Sequence, residues 1–290
     1  MRLCDIQVVK TIMEQHGIHF QKKFGQNFLV NPAVPARIAQ ECGAQPQDAI
    51  LEIGPGIGTL TQELAQRYRK VVAVEIDRDL IGVLHETMAD YPNVTVIEGD
   101  IMKTDLRALF DEYFSDSRVS VCANLPYYIT SPILMKLLES GLPFDYITVM
   151  IQREVAQRLC AAPGSDAYGA ITACASYYAS VQTLFPVSKG NFIPVPKVDS
   201  AVIRMQRHAA PPVSVQSETM LFRVIRAAFE QRRKTLVNAL SAGIPELEKS
   251  TYIQILQSLG MDENIRGEKL SLQQFADISN ALFKRNSNGM

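Results

Sequence analysis

One stretch restricts the fold of this chain more than any other: residues 49–77, whose centre reads Ile50-Leu51-Glu52-Ile53-Gly54-Pro55-Gly56-Ile57-Gly58-Thr59. The mostly apolar run 49–53 has the composition of a parallel strand buried on both faces. Three glycines at alternate positions then predict a sharp turn into a helix opening at Thr59. Gly54, Gly56 and Gly58 reach positive φ without a Cβ penalty and let the backbone approach a ligand closely. A second apolar run, 71–74, ends in Glu75, which places an acid where ribose hydroxyls are gripped in nucleotide-binding strand–turn–helix units. A turn without a ligand does not call for three glycines, because each costs backbone entropy.

Spacing narrows the ligand. A dinucleotide fingerprint reads G-x-G-x-x-G, with bare backbone at the pyrophosphate and a helix N-terminus facing its charge. Here the pattern is Glu52-x-Gly54-x-Gly56-x-Gly58, and Thr59 stands where the third fingerprint glycine would fall. It resembles motif I of the class I methyltransferases, which use S-adenosylmethionine. The motif alone favours the methyl donor and leaves a nicotinamide dinucleotide as the alternative.

Downstream, helical patterns at 59–68, 79–89 and 106–114 lead to strand patterns at 71–74, 94–97 and 119–123. This alternation predicts an α/β, Rossmann-like domain with a parallel sheet covered on both faces. Ligands of such sheets bind at the carboxyl ends of the strands, where Gly54, Glu75, Asp100 and Asn124 all fall. Asp100 is placed to accept from a cofactor's adenine amino group.

The fourth strand runs into Asn124-Leu125-Pro126-Tyr127-Tyr128. An exocyclic adenine nitrogen is a poor nucleophile, because its lone pair is delocalised into the ring. The Asn124 side-chain carbonyl and the Leu125 backbone carbonyl can accept its two N–H bonds and draw it toward tetrahedral geometry. Pro126 stiffens the turn, and Tyr127 offers a ring for the flipped base. Such stacking contributes about 1–3 kcal/mol per base.

Further strands are expected at 146–151, 181–187 and 201–205, with a helix at 152–159. The small, polar segment 163–169 reads as a mobile loop beside the substrate entrance. Upstream, Lys22-Lys23-Phe24-Gly25-Gln26-Asn27-Phe28-Leu29 reads either as an arm folded over the site or as a basic surface loop.

Net charge is only −1, yet the charges are segregated. Residues 41–120 carry fifteen acids against seven Lys or Arg, whereas 201–234 carry seven Lys or Arg against two acids. Arg binds phosphates bidentately and stacks on bases, so the basic stretch points to nucleic acid. Ala209-Ala210-Pro211-Pro212 predicts a linker between a catalytic domain with its arm, 1–208, and a small all-helical domain, 209–290. Helices are expected there at 218–230, 232–240, 251–259 and 271–282. Arg223, Arg226, Arg232 and Arg233, with Lys22 and Lys23 of the arm, are the expected RNA contacts, one wall of an RNA cleft.

Five scattered cysteines form no CxxC pair, and no histidine has ligand-spaced partners, so neither disulfide nor metal is expected. The start of the chain lacks a signal core, and no apolar run is membrane-spanning in length. A cytoplasmic protein without a membrane partner is expected.

The segments FGQNFL, LEIGPGIGTLT, VEID, EGD, NLPYYIT, FIPVPKVDS and RRKTLVNAL follow one another in that order. Together, over nearly the whole chain, they resemble the ribosomal RNA adenine-N(6) dimethyltransferase family, and within it the bacterial small-subunit branch. The resemblance implies a class I methyltransferase domain that uses S-adenosylmethionine, with cofactor positions at Asn27, Leu29, Gly54, Glu75, Asp100 and Asn124, and with Gly56 in the same turn. It implies catalytic roles for Asn124, Leu125, Pro126 and Tyr127, and a Phe192 that faces Tyr127 across the target base. It also implies two adjacent adenosines near the 3′ end of 16S rRNA as substrate, each methylated twice, with a monomeric enzyme acting on the small ribosomal subunit. Two alternatives stand beside this: a large-subunit (23S) rRNA adenine methyltransferase conferring antibiotic resistance, and an RNA-binding assembly factor. A nicotinamide-dependent oxidoreductase recedes once Asn124 to Tyr127 are counted.

Overall fold

A computed structural model describes residues 3–18 and 27–287, the last two by backbone only. The chain forms two compact units: Met1–Ala156 with Val181–Arg207, and Gln157–Ser180 with His208–Met290.

In the first unit, α1 (Ile6–Gln15) precedes β1 (Phe28–Leu29) and α2 (Ala33–Gln40). Then β2 (Ala49–Ile53), α3 (Thr59–Ala65), β3 (Lys70–Glu75), α4 (Arg78–Thr87), β4 (Val94–Glu98), α5 (Leu106–Tyr113) and β5 (Val119–Asn124) alternate as the sequence predicts. Asp77 and Asp105 start α4 and α5 by accepting from backbone N–H groups two or three residues on. Helix α4 buries Leu80, Val83, Leu84 and Thr87, a stripe at helical spacing.

After β5 come α6 (Thr130–Glu139), β6 (Phe144–Gln152), α7 (Arg153–Leu159), α8 (Ala170–Tyr178), β7 (Ala179–Val187), β8 (Phe192–Ile193) and β9 (Ser200–Arg207). The seven-stranded sheet has the order β4-β3-β2-β5-β6-β9-β7, and β1 pairs with β8 apart from it. The pairs β4/β3, β3/β2, β2/β5 and β5/β6 are parallel, and β6/β9 is antiparallel. The chain moves outward from β2 to β4 and then returns to β5 on the other side of β2. That reversal creates a crevice at the carboxyl ends of β2 and β5. All five residues of β2 are buried, as its apolar composition predicts.

The helical unit adds α9 (Glu218–Glu230), α10 (Leu236–Gly243), α11 (Lys249–Ser258) and α12 (Leu272–Ser287). Its aromatic core includes Tyr168, Phe229 and Phe275, with ring centroids 5.6 and 6.0 Å apart in succession. Residues 157–180 pack in this unit, although the linker signal alone keeps them in the first domain. The segment 163–169 is fastened rather than mobile: Gly164 N donates to Glu268 O at 2.7 Å, and the Tyr168 hydroxyl donates to Leu270 O at 3.0 Å.

Helices α6 and α8 carry no sequence expectation, and neither has a capping side chain at its N-cap residue. Helix α6 follows Ile129, and α8 follows Gly169 and is apolar nearly all round, which blurs its period. Helix α10 starts at Leu236 rather than at residue 232, because Lys234 N donates to Gln231 O and closes a turn.

Candidate active site

The ends of β2, β3 and β5 border an open cleft. Its floor is the glycine turn. Gly54, Gly56 and Gly58 have φ of 66°, 64° and 92°, the left-handed region that the sequence predicts. Each glycine answers a different demand. A Cβ on Gly58 would lie 2.7 Å from Met88 Cε, and one on Gly56 3.1 Å from Phe28 Cε1. A Cβ on Gly54 would meet nothing within 4 Å and would project into open space.

Glu75 forms the wall at the end of β3, and it is 4% exposed. Its Oε2 accepts from Gly56 N at 3.1 Å and its Oε1 from Asp77 N at 2.9 Å, so the carboxylate ties the two strand-end turns together. Burial raises its pKa, and the two backbone donors oppose that. Glu52, one strand over, is 1% exposed and also lines the cleft. Among the described residues its Oε2 has no hydrogen-bond partner. Burial pushes the Glu52 carboxyl up to about 8; the neighbouring Thr61 hydroxyl opposes that shift, and the charge of Glu75 adds to it.

Asn124 ends β5. Its Nδ2 donates to Asn27 O at 3.2 Å, which orients the amide and leaves Oδ1 as an acceptor for an incoming amine. Leu125 N donates to Met150 O at 3.1 Å, and the Pro126 carbonyl accepts from the Thr130 hydroxyl at 3.0 Å. The four residues are thereby fixed between β6 and the start of α6. The Tyr127 hydroxyl shares a 2.7 Å hydrogen bond with Ser200 Oγ, and its ring lines the cleft. Asn27, Phe28 and Leu29 close the cleft from the N-terminal side.

Asn27, Leu29, Gly54, Gly56, Glu75, Asn124, Leu125, Pro126 and Tyr127 thus come together around one cleft. Asp100 stands back from its lining. Its Oδ1 accepts from Met102 N at 2.9 Å and closes the turn after β4, while its charge reaches the phenol of Tyr128.

Phe192 requires a correction. It is 2% exposed, pairs with Leu29 across β1/β8 and packs with Ile38, Leu64 and Val187 in the core. Its ring therefore does not face Tyr127 across a base. Pairing of Phe192 with Leu29 turns its ring into the core, whereas Val195, beyond the strand, is exposed.

The basic stretch also divides. In the first unit, Arg204 donates to Glu41 O and lies 5.4 Å over the Tyr146 ring, and Arg207 donates to Leu138 O. In the helical unit Arg223 pairs with Glu246, and Arg232 donates to the carbonyls of Asp166 and Tyr168 at 3.1 Å each. Arg226 and Arg233 are exposed. Lys22 and Lys23 lie outside the described residues.

Sequence reasoning missed Glu52, Ile76 and Tyr128 as lining residues. An acid inside an otherwise apolar strand was the signal for Glu52. The second tyrosine of Asn124-Leu125-Pro126-Tyr127-Tyr128 was the signal for Tyr128. Among the described residues no group of three or more His, Cys, Asp or Glu could hold a metal ion.

Comparison with known proteins adds a separate line of argument. The model of a family described as ribosomal RNA adenine dimethylase matches residues 17–284. The chain is 44% identical over 276 residues to a ribosomal RNA small subunit methyltransferase A of Alkaliphilus metalliredigens, covering 95% of this chain and 96% of that protein. It is 48% identical over 277 residues to the protein of the same name from Bacillus mycoides, covering 94% of each. Among solved structures it is similar to a dimethyladenosine transferase from Plasmodium falciparum, at TM-score 0.74 and 25% identity, covering 91% of this chain and 98% of the other. It is also similar to the 23S rRNA methyltransferase ErmE, at TM-score 0.66 and 26% identity, covering 89% and 100%.

Proposed function

This chain belongs to the ribosomal RNA adenine dimethylase family, and from that premise we propose that it dimethylates, at N6, two adjacent adenosines near the 3′ end of 16S rRNA in the small ribosomal subunit. The methyl donor is S-adenosylmethionine. The observation that carries this reading is the amide of Asn124, held through Nδ2 by the Asn27 carbonyl so that Oδ1 is left to receive the substrate amine.

The residues present fit S-adenosylmethionine. Gly54 leaves open space where any side chain would intrude, Glu52 is a buried carboxyl whose Oε2 has no hydrogen-bond partner among the described residues, and Glu75 presents a fixed carboxyl group at the end of the neighbouring strand. When bound, this group supplies a methyl already activated on a sulfonium. Glu75 accepts from the ribose hydroxyls, and Gly54 and Gly56 allow the close backbone approach. Asn27 and Leu29 cover the ligand from the N-terminal side. Asp100 would reach the adenine amino group through Oδ2, from behind the lining of the cleft, where Lys103 Nζ also lies 4.0 Å from that oxygen.

Asn124 Oδ1 and the Leu125 carbonyl accept the two N–H bonds of the target amine and turn its lone pair out of the ring plane. Tyr127, anchored to Ser200, stacks on the flipped base, and Pro126 keeps the two carbonyls in register. Positioning then does most of the catalytic work, because two reactants held in line gain effective molarity and need no strong base. The product proton leaves to solvent.

Arg223, Arg226, Arg232 and Arg233 are the phosphate contacts of the helical unit; Arg226, Arg232 and Arg233 are exposed, and Arg232 also donates to the carbonyls of Asp166 and Tyr168. The protein acts as a monomer in the cytoplasm. No helix among the described residues is long and apolar enough to cross a membrane. The large-subunit alternative has the weaker support: 26% identity to a 23S enzyme against 44% and 48% to small-subunit methyltransferases. A role in subunit assembly is compatible with the catalytic one.

The test is methyl transfer from labelled S-adenosylmethionine to small subunits lacking adenine methylation, with large subunits as control. Dimethyladenosine in small-subunit RNA is the expected product. Label confined to large subunits would replace this reading by the resistance enzyme.

A further inference from the structure

Four large apolar side chains of the first unit are exposed near the cleft: Ile76 at 42%, Tyr128 at 60%, Val195 at 63% and Val198 at 44%. Two of them, Ile76 and Tyr128, line the cleft itself. The other two lie on the segment between β8 and β9, and that segment is fastened to the site at both ends. At its start, Phe192 and Ile193 pair with Leu29 and Phe28, which form the cleft's N-terminal side. At its end, Ser200 Oγ is 2.7 Å from the Tyr127 hydroxyl, and Asp199 O accepts from Arg153 N at 3.0 Å. Lys189 N donates to Asp199 Oδ1 at 3.0 Å as well. A strap held at both margins must run along the rim between them. It presents Val195, Lys197 and Val198 to solvent, and the Tyr127–Ser200 bond at its far end places that end beside the turn that carries Tyr128.

The two tyrosines of the turn are therefore not equivalent. Tyr127 is tethered through its hydroxyl and faces the cleft, whereas Tyr128 leaves most of its surface uncovered at the mouth. Resting on the function proposed above, we infer that Tyr128 and the strap Pro194–Val198 form a second base subsite, which holds the nucleotide adjacent to the adenosine in the cleft. The occupant is a single-stranded RNA segment. A nucleobase has two apolar faces that suit a tyrosine ring and a pair of valines, and its phosphate suits the Lys197 ammonium beside them. The subsite is continuous with the catalytic cleft, so one strand can occupy both. An enzyme that modifies two neighbouring adenosines gains from such an arrangement, because the second base is already unstacked while the first is being methylated. The flanking base is held by stacking on exposed apolar surface, with no hydrogen bonds that read its identity.

The test places a benzophenone photocrosslinker in place of Val195 in the full chain and irradiates it with unmethylated small subunits, while methyl transfer is measured in the same samples. Crosslinks at the two target adenosines and at the nucleotides immediately flanking them are expected. Methyl transfer with crosslinks only at distant RNA positions would overturn the subsite and leave the enzyme assignment intact. Absence of methyl transfer to small subunits by the unsubstituted protein would instead overturn the assignment on which the subsite rests. In parallel, Tyr128→Ala should raise the apparent KM for subunits about tenfold, the effect of losing one base stack. Tyr128→Phe should restore it, and the calorimetric affinity for S-adenosylmethionine should change less than the KM does. An unchanged KM in Tyr128→Ala, or a failure of Tyr128→Phe to rescue, would contradict the inference.

Discussion

Glu52 and Glu75 lie buried at the ends of neighbouring strands in the first unit, whereas Arg223 and Arg232 of the helical unit lie nearer its surface and are engaged by acids or carbonyls. Glycines differ in the same way. A Cβ on Gly54 would meet open space, whereas one on Gly243 at the end of α10 would lie 2.5 Å from Ala227 Cβ in α9. In the first region, polar atoms and backbone freedom go beyond what the fold uses. In the second, Arg223, Arg232 and Gly243 are each explained by pairing or packing, and Ser279 Oγ is the buried atom there that lacks a partner among the described residues. An excess of that kind marks a place prepared for a ligand, since a buried polar atom without a partner costs stability.

Glu52→Gln probes the largest of these costs. The folded pKa of Glu52 is about 8 against an ordinary 4.5, so between those values the folded protein keeps a proton that the unfolded chain has released. The associated stability is present at low pH and is lost as pH rises toward and through 8. Unfolding titrations of the ligand-free protein should show this decline, with a full span on the order of 4 kcal/mol. The Glu52→Gln variant should give a flatter profile. A wild-type profile with no decline between pH 5 and 9 would remove the excess from the comparison.

Asn124→Ala should lower kcat by roughly 100- to 1000-fold, the range seen when one oriented polar contact to the reacting group is deleted. Its circular dichroism should remain that of the wild type. A loss smaller than tenfold in single-turnover assays would show that the amide is structural.

Gly243→Ala should destabilise the protein by about 1–3 kcal/mol through overpacking against α9. Its affinity for S-adenosylmethionine should be unchanged. Reduced affinity in that variant would erase the distinction between the two glycines.

The smallest effect is expected at the surface. Arg233→Ala should weaken binding to small subunits a few-fold and reduce the slope of log affinity against log salt by about one. Arg232→Ala should lower thermal stability more than Arg233→Ala does, because its guanidinium holds the carbonyls of Asp166 and Tyr168. The reverse order would mean that the two arginines have been assigned the wrong roles.

The first region was legible because its signals are local. A strand end is marked where an apolar run gives way to glycine or a polar residue, and Gly54, Glu75 and Asn124 each stand at such a boundary. Phe192 misled because an aromatic residue does not state which way it faces. Its inward turn is set by pairing with Leu29, far away along the chain. The internal partners of the arginines were hidden for a similar reason. A charge count sees Arg204, Arg207, Arg223 and Arg232 as one basic run, while their partners come from distant segments that only the fold brings near. Residues 157–180 were assigned to the wrong side of the linker because a proline-rich break marks one crossing between units, and the other crossings carry no such mark.

The account stands most directly on calorimetric titration of S-adenosylmethionine into the wild-type protein and Gly54→Ala, with thermal unfolding of each as control. The left-handed backbone at Gly54 makes the substitution cost about 1–2 kcal/mol of stability, so the variant should remain folded. The account predicts one site in the wild type and an affinity at least tenfold weaker in the variant, because the added methyl enters the cleft. Equal affinity in two folded proteins would contradict it and would place the methyl donor elsewhere.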